Sequence, residues 1–231
     1  MNRIEESICF YTRNDYLLIN DLLWGNSDNI EKVIKIIVEN SKACMKEAEE
    51  IGIENRWRGG PERCHALYEA YQKRTPKDLT ANAKTKLIVQ AKNDIENLFA
   101  AMQPCKTQML LYRNLRLKDI QEYRINQPLK TLGFSSCSKE KYNKPYGKDH
   151  QFIRFNIHIP ENTLMLDLDN YPDWNNEQGE VLLPPFTART ERVFKSETPD
   201  CLYEVELTLL KTHKPEIKLN PNELFKTEPQ K

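Results

Sequence analysis

The sequence predicts an α+β protein, with helices in the first half of the chain and strands in the second. Three observations carry that prediction. Ile30, Val33, Ile34, Ile37 and Val38 recur at helical spacing, as do Leu87, Ile88, Ala91, Ile95, Leu98, Phe99 and Met102. Beyond Pro104 this spacing gives way to short apolar segments bounded by polar and turn residues. Late in the chain, Glu204 and Glu206 alternate with Val205 and Leu207, the period-two signature of a half-buried strand.

The elements follow in order. A first helix is expected over residues 8–23, with Tyr16, Ile19, Leu22 and Leu23 on its apolar side. Asp28 followed by Glu31 forms a candidate capping box for a second helix running to Ile51. Gly52 and Arg58-Gly59-Gly60-Pro61 break that pattern, and Pro61 suits the first turn of a short helix through Tyr71. A third long helix covers residues 82–102, and Pro104 ends it. Strands are expected at 107–112, 131–136, 151–159, 163–168, 181–183, 189–195 and 202–210. Pro184-Pro185 excludes a central strand continuing past Leu183. The division is then a helical portion at 1–104, a β core at 105–211 and a polar tail at 212–231, loosely ordered beyond Lys211.

Composition narrows the function classes. The chain of 231 residues is 39% hydrophobic and 29% charged, which suits a globular fold with a sizeable core. Net charge is zero, so no global field points to nucleic acid or a membrane surface. The charge is uneven, however. Residues 110–158 hold ten Lys and Arg against four Asp and Glu, whereas 159–180 hold six acids and no Lys or Arg. A basic block beside an acidic one suits a site that holds a pyrophosphate at one end and a developing cation at the other; ordinary surface variation would look the same. The six cysteines show neither CxxC nor zinc spacing, so free thiols in a reducing compartment are expected. Glu5 and Glu6 stand where a secretory leader would be apolar, and no run approaches membrane-spanning length. A cytosolic place of action is expected, in the protein's own cell or one it is delivered into.

The stretch Asn176-Glu177-Gln178-Gly179-Glu180-Val181-Leu182-Leu183 carries the chemistry. Gln178 and Glu180 are two residues apart at the mouth of an apolar strand, so both can face one cleft while Val181 and Leu183 turn away. Alone, such a pair is usually solvated surface. Upstream lie Leu110-Leu111-Tyr112-Arg113, an apolar run ending in a guanidinium, and Gly133-Phe134-Ser135-Ser136-Cys137-Ser138, in which Phe134 suits the core. No Walker A sequence, Gly-x-Gly-x-x-Gly motif or local zinc or Ser-His-Asp arrangement competes with them.

An arginine, then a serine cluster, then Gln-x-Glu resembles the Arg-Ser-Glu class of mono-ADP-ribosyltransferases, which includes bacterial ADP-ribosylating toxins. The pattern Tyr11-Thr12, Tyr16, Ile19-Asn20, Leu22-Leu23 is also similar to the first helix of many such toxins. The resemblance implies a helical N-terminal portion packed on two facing sheets, with NAD as substrate in the cleft and no metal. It implies that Arg113 grips phosphate or ribose oxygens, Arg116 being the substitute. It implies that Ser136 holds the glutamate and that Glu180 stabilises the ribosyl cation. Gln178 replaces the glutamate usual in arginine-modifying members and cannot act as a base, so another acceptor is implied. Glu177 would rescue an arginine target only through a bulge. Cys137 departs from the family's middle threonine. Ser138, Tyr142 and Tyr146, with Lys144 or Lys148, are cofactor-contact candidates, and Tyr171 and Trp174 are acceptor-recognition candidates.

The acceptor is expected to be a protein, with nucleic acid as an alternative prompted by the basic block. Water as acceptor would make the protein an NAD glycohydrolase, and a pseudoenzyme acting as a binding module is the reading from another class. An immunity or antitoxin protein is a further candidate partner of the helical portion.

Overall fold

Asn2 opens the first helix with a reciprocal cap: its side chain accepts from the Ile4 and Glu5 amides at 3.0 Å each, and Glu5 Oε2 accepts from the Asn2 amide at 2.8 Å. The computed structural model describes all residues except Met1, 26–27, 58–59, 117–127, 142–150, 172–178, 215–216 and 218–231, and the side chains of Arg13, Asn14 and Arg116. The described residues form two compact units, one within Met1–Ala101 and the other beginning at Met102.

The helical unit departs from expectation at its start. The helix expected at 8–23 begins earlier, as α1 (Arg3–Phe10), passes through a π-helical turn at Tyr11–Asp15, and continues as α2 (Tyr16–Trp24). Next come α3 (Ile30–Ile51), α4 (Ile53–Arg56), α5 (Pro61–Arg74) and α6 (Ala81–Ala101). The N-cap of α3 is Asn29, whose side chain makes no capping bond, so Asp28 stands one residue before the cap position expected of it. Pro61 occupies the first turn of α5, where its missing amide costs nothing. Ile8, Ile19, Ile34, Ile88, Ile95 and Leu98 are fully buried and make up the centre of the helical core.

One charged cluster sits inside this unit. Arg74 lies 3.6 Å from Glu6, 3.5 Å from Asp15 and in hydrogen-bond contact with Asp94, with its guanidinium 3.9 Å from the Phe10 ring centroid. Three carboxyls around one guanidinium cannot all ionise cheaply. Burial pushes Asp15 up to about 7, against the pull of Arg74 and with the push of Asp94. A carboxyl raised in the fold favours folding fully below its unfolded value near 4, and that contribution is lost as pH rises towards 7. The melting temperature of the wild type should therefore gain on Asp15→Asn as pH falls from 8 to 5. The expected gain is at most about 1.4 kcal/mol per pH unit, read by thermal melts of both proteins across that range. Parallel curves would remove Asp15 as the cause.

Among the described residues the sheet unit holds nine strands: β1 (Gln103–Pro104), β2 (Met109–Arg116), β3 (Pro128–Lys130), β4 (Ser135–Ser138), β5 (Phe152–Ile159), β6 (Leu164–Asp167), β7 (Glu180–Leu183), β8 (Phe186–Lys195) and β9 (Cys201–Thr212). They pair in the order β1-β6-β7-β4-β2-β5-β9-β8-β3. All neighbours are antiparallel except β5 and β9. The link between β4 and β2 is a single residue pair, Tyr112 with Ser138, whereas β2 and β5 pair over eight. One core draws from both sides of that link, with Cys137, Met165, Val181 and Leu183 on one side and Leu111, Phe155, Ile157, Val205 and Leu207 on the other.

Several boundaries differ from expectation. The strand expected at 131–136 lies later, at Ser135–Ser138, because pairing with β7 places the serines inside the ladder. Thr131 instead bonds Phe186 through its amide at 2.8 Å. The short strands β1 and β3 were not legible from periodicity, being two and three residues long. Strand β9 runs through Thr212, and the His213 amide donates to Pro185 O at 2.7 Å, so the expected loose tail does not begin at Lys211. All six cysteines are free thiols, five of them buried. No helix among the described residues is long and apolar enough to cross a membrane.

Candidate active site

Period two decides what each strand offers to the site. On β7, Val181 and Leu183 enter the core, which turns Glu180 to the opposite face. On β4, Cys137 enters the same core and Ser136 is exposed opposite it. The register sets Ser138 beside Glu180 and Ser136 beside Leu182, so Ser136 reaches Glu180 diagonally. Ser136 Oγ donates to Glu180 Oε1 at 2.5 Å, the short length of a hydroxyl bonded to a carboxylate.

Arg113 reaches the same place from β2. It follows the single pair that joins β2 to β4, and its Nη1 donates to the Ser136 carbonyl at 3.2 Å. The guanidinium therefore braces the residue that holds the glutamate. Arg113, Ser136 and Glu180, 67 positions apart from first to last in the sequence, form one connected group on three adjacent strands.

Cys137 lies in the core cluster, close enough to Arg113 and Glu180 to feel both charges. Burial pushes its thiol up to about 11, with Arg113 pulling down and Glu180 pushing up. It stays protonated at neutral pH and serves as packing. Ser138 Oγ accepts from the Glu140 amide at 3.0 Å, closing the turn after β4. Its proton is left to donate.

The arrangement supports a carboxylate of fixed rotamer beside a bidentate-capable cation, on a surface open to a substrate. That is what stabilising positive charge next to a gripped anion demands.

No protein-family model matches the sequence, and no curated protein matches it. Solved structures do match. The catalytic domain of VahC from Aeromonas hydrophila shares 17% identity at a TM-score of 0.50, over 91% of this chain and 99% of that one. The ATR domain of Salmonella SpvB shares 14% identity at a TM-score of 0.51, over 91% of this chain and 100% of that one. The fold is that of the bacterial mono-ADP-ribosyltransferase toxins.

Within this ADP-ribosyltransferase fold, sequence reasoning missed the residues that hold the entry to β7. Lys139 Nζ donates to both Asp167 oxygens at 2.7 Å and to Asp169 Oδ2 at 2.8 Å. Asp169 Oδ1 accepts from the Gly179 amide at 2.7 Å, and the Lys139 amide donates to Gly179 O at 2.8 Å. Gly179 has φ +72°, a left-handed conformation that favours glycine. The signal available in the sequence is the junction of basic and acidic blocks, which suits either ligand-directed charge or ordinary surface variation. Part of it is consumed internally: Lys139 by Asp167 and Asp169, and Lys141 and Arg154 by Glu204 at 3.0 and 3.4 Å.

Tyr171 is half-buried and follows the 3-10 turn Leu168–Asn170. Gln178, Glu177, Trp174, Tyr142, Tyr146, Lys144 and Lys148 lie outside the described residues, as does the side chain of Arg116.

Proposed function

We propose that the protein is an NAD-dependent mono-ADP-ribosyltransferase that moves ADP-ribose to a macromolecular acceptor, in the first place a protein. The observation that carries this reading is the 2.5 Å bond from Ser136 Oγ to Glu180, braced by Arg113, on an ADP-ribosyltransferase fold. The donor set suits NAD. A guanidinium has several N–H groups in one plane, and one bond to Ser136 O leaves others for phosphate or ribose oxygens. The Glu180 carboxylate, held by Ser136, is suited to accept from the ribose 2′-hydroxyl and to stabilise charge as the nicotinamide bond breaks. Ser138 keeps a donor for the same ligand. Tyr142 and Tyr146 are assigned to the nicotinamide side.

The finer architecture belongs to the same reading. The single β2–β4 pair suggests that the ladder divides there into two sheets facing across the shared core. The divisions 1–104, 105–211 and 212–231 go with it. Gln178 lacks a base, which favours an acceptor other than arginine. Tyr171 and Trp174 are assigned to acceptor recognition. The internal pairing of Lys139, Lys141 and Arg154 weakens the basic block as a nucleic-acid surface. A toxin or effector acting in a cytosol is the setting this chemistry suits.

The test is incubation of the full chain with labelled NAD, cell lysate and purified RNA, following nicotinamide release and label together. A labelled protein band is the expected result. Label on RNA would move the acceptor class, and nicotinamide release without label would identify water as acceptor. No NAD turnover under any condition would overturn the reading.

A further inference from the structure

Glu180 is the first residue of β7, so no preceding strand residue aligns it. What precedes it is Gly179, and both of that residue's backbone polar groups are held. Its amide donates to Asp169 Oδ1 at 2.7 Å, and its carbonyl accepts from the Lys139 amide at 2.8 Å. Asp169 Oδ2 returns to Lys139 Nζ at 2.8 Å, which closes a ring of three residues. Asp167 grips the same ammonium with both oxygens at 2.7 Å and also accepts from the Asp169 amide at 3.2 Å. The ring ties the residue after β4, which carries Ser136, and the entry to β7, which begins with Glu180, to the turn that follows β6.

We infer that Lys139, with Asp167 and Asp169, is a positioning residue that locks Gly179 and thereby sets the Glu180 carboxylate on Ser136. The inference rests on the reading of Glu180 as the group that faces the reacting ribose.

Energetics separate this role from plain structural support. The side chains of Lys139, Asp167 and Asp169 are 32%, 26% and 41% exposed, so solvent screens their attraction and their contribution to stability is small. Burial tends to lower the Lys139 ammonium, but the bonds and charges of Asp167 and Asp169 override it and raise it. The bond from Lys139 holds the Asp169 carboxyl below its ordinary range, with the Gly179 amide adding to it. Lys139 and Asp169 therefore both stay charged across neutral pH. A carboxylate acting on a developing cation is sensitive to placement, since a shift of about 1 Å can cost on the order of 100-fold in rate. Loss of the lysine should thus be felt in turnover far more than in melting temperature.

The experiment measures steady-state nicotinamide release by the full chain and by Lys139→Met, Lys139→Arg, Glu180→Gln and the Lys139→Met/Glu180→Gln double variant. Lys139→Met is expected to lower kcat on the order of 10- to 100-fold with KM for NAD nearly unchanged. Lys139→Arg, which keeps the charge and the donors, should recover most of that loss. Residual turnover of Glu180→Gln, followed over long incubations, should fall no further when Lys139→Met is added, because the lysine acts through the glutamate. Should Lys139→Met fail to fold, Asp169→Asn takes its place, with a smaller loss and the same non-additivity. Wild-type kcat in Lys139→Met, or losses that multiply in the double variant, would overturn the positioning role. Full turnover in Glu180→Gln would instead remove the site reading beneath it.

Discussion

Glu180→Gln is expected to lower NAD turnover on the order of 100- to 1000-fold while leaving the fold intact. Glutamine keeps the length of the side chain and an oxygen able to accept from Ser136 Oγ, now 2.5 Å from Glu180 Oε1. What it removes is the negative charge. A loss in Glu180→Gln as deep as in Glu180→Ala would assign the effect to charge at the ribose. A much milder loss in Glu180→Gln would assign it to the hydrogen bond. Nicotinamide release, measured beside a thermal melt of each variant, separates both outcomes from misfolding. Val181 and Leu183 carry the burial of β7, so replacing the exposed face of its first residue should leave the melt within a few degrees.

Arg113→Ala should reduce kcat/KM for NAD on the order of 100-fold, with much of the effect in KM. The guanidinium is assigned two tasks. It grips the ligand's anionic or ribose oxygens, and through Nη1 it braces the Ser136 carbonyl at 3.2 Å. Arg113→Lys keeps the charge but loses the planar fork, so it should recover only a minor part of the loss. Full recovery by lysine would mean that charge alone is required and would detach the brace from function. Binding of NAD by calorimetry, compared between Glu180→Gln and Arg113→Ala, distinguishes the two residues. Affinity should survive in the first and drop in the second.

Much of this was legible in the sequence, for physical reasons specific to each element. The long helices declared themselves because a buried face repeats every three to four residues, as in Ile30, Val33, Ile34 and Ile37. Strand β9 declared itself because Val205 and Leu207 face the core while Glu204 and Glu206 do not. Arg113, Ser136 and Glu180 were legible because polar side chains border apolar runs there and because their order resembles a known class. The π-helical turn was not legible, because a single turn of five residues is too short to set a period of its own. Strands β1 and β3 are too short for any period.

Residue types and periodicities are local, and the sequence by itself determined what is local: the helical first half, the stranded second half and the residue types offered to the candidate site. Register is not local. Whether β4 began at Thr131 or at Ser135 depended on which residues of β7 it met, and a shift of one position would have turned Ser136 into the core. The tertiary structure alone decided that Cys137 packs inward, that Ser136 meets Glu180, and that Lys139 finds Asp167 and Asp169 about thirty residues away. Such partners are chosen by the summed packing of whole strands, and no single residue's chemistry encodes them.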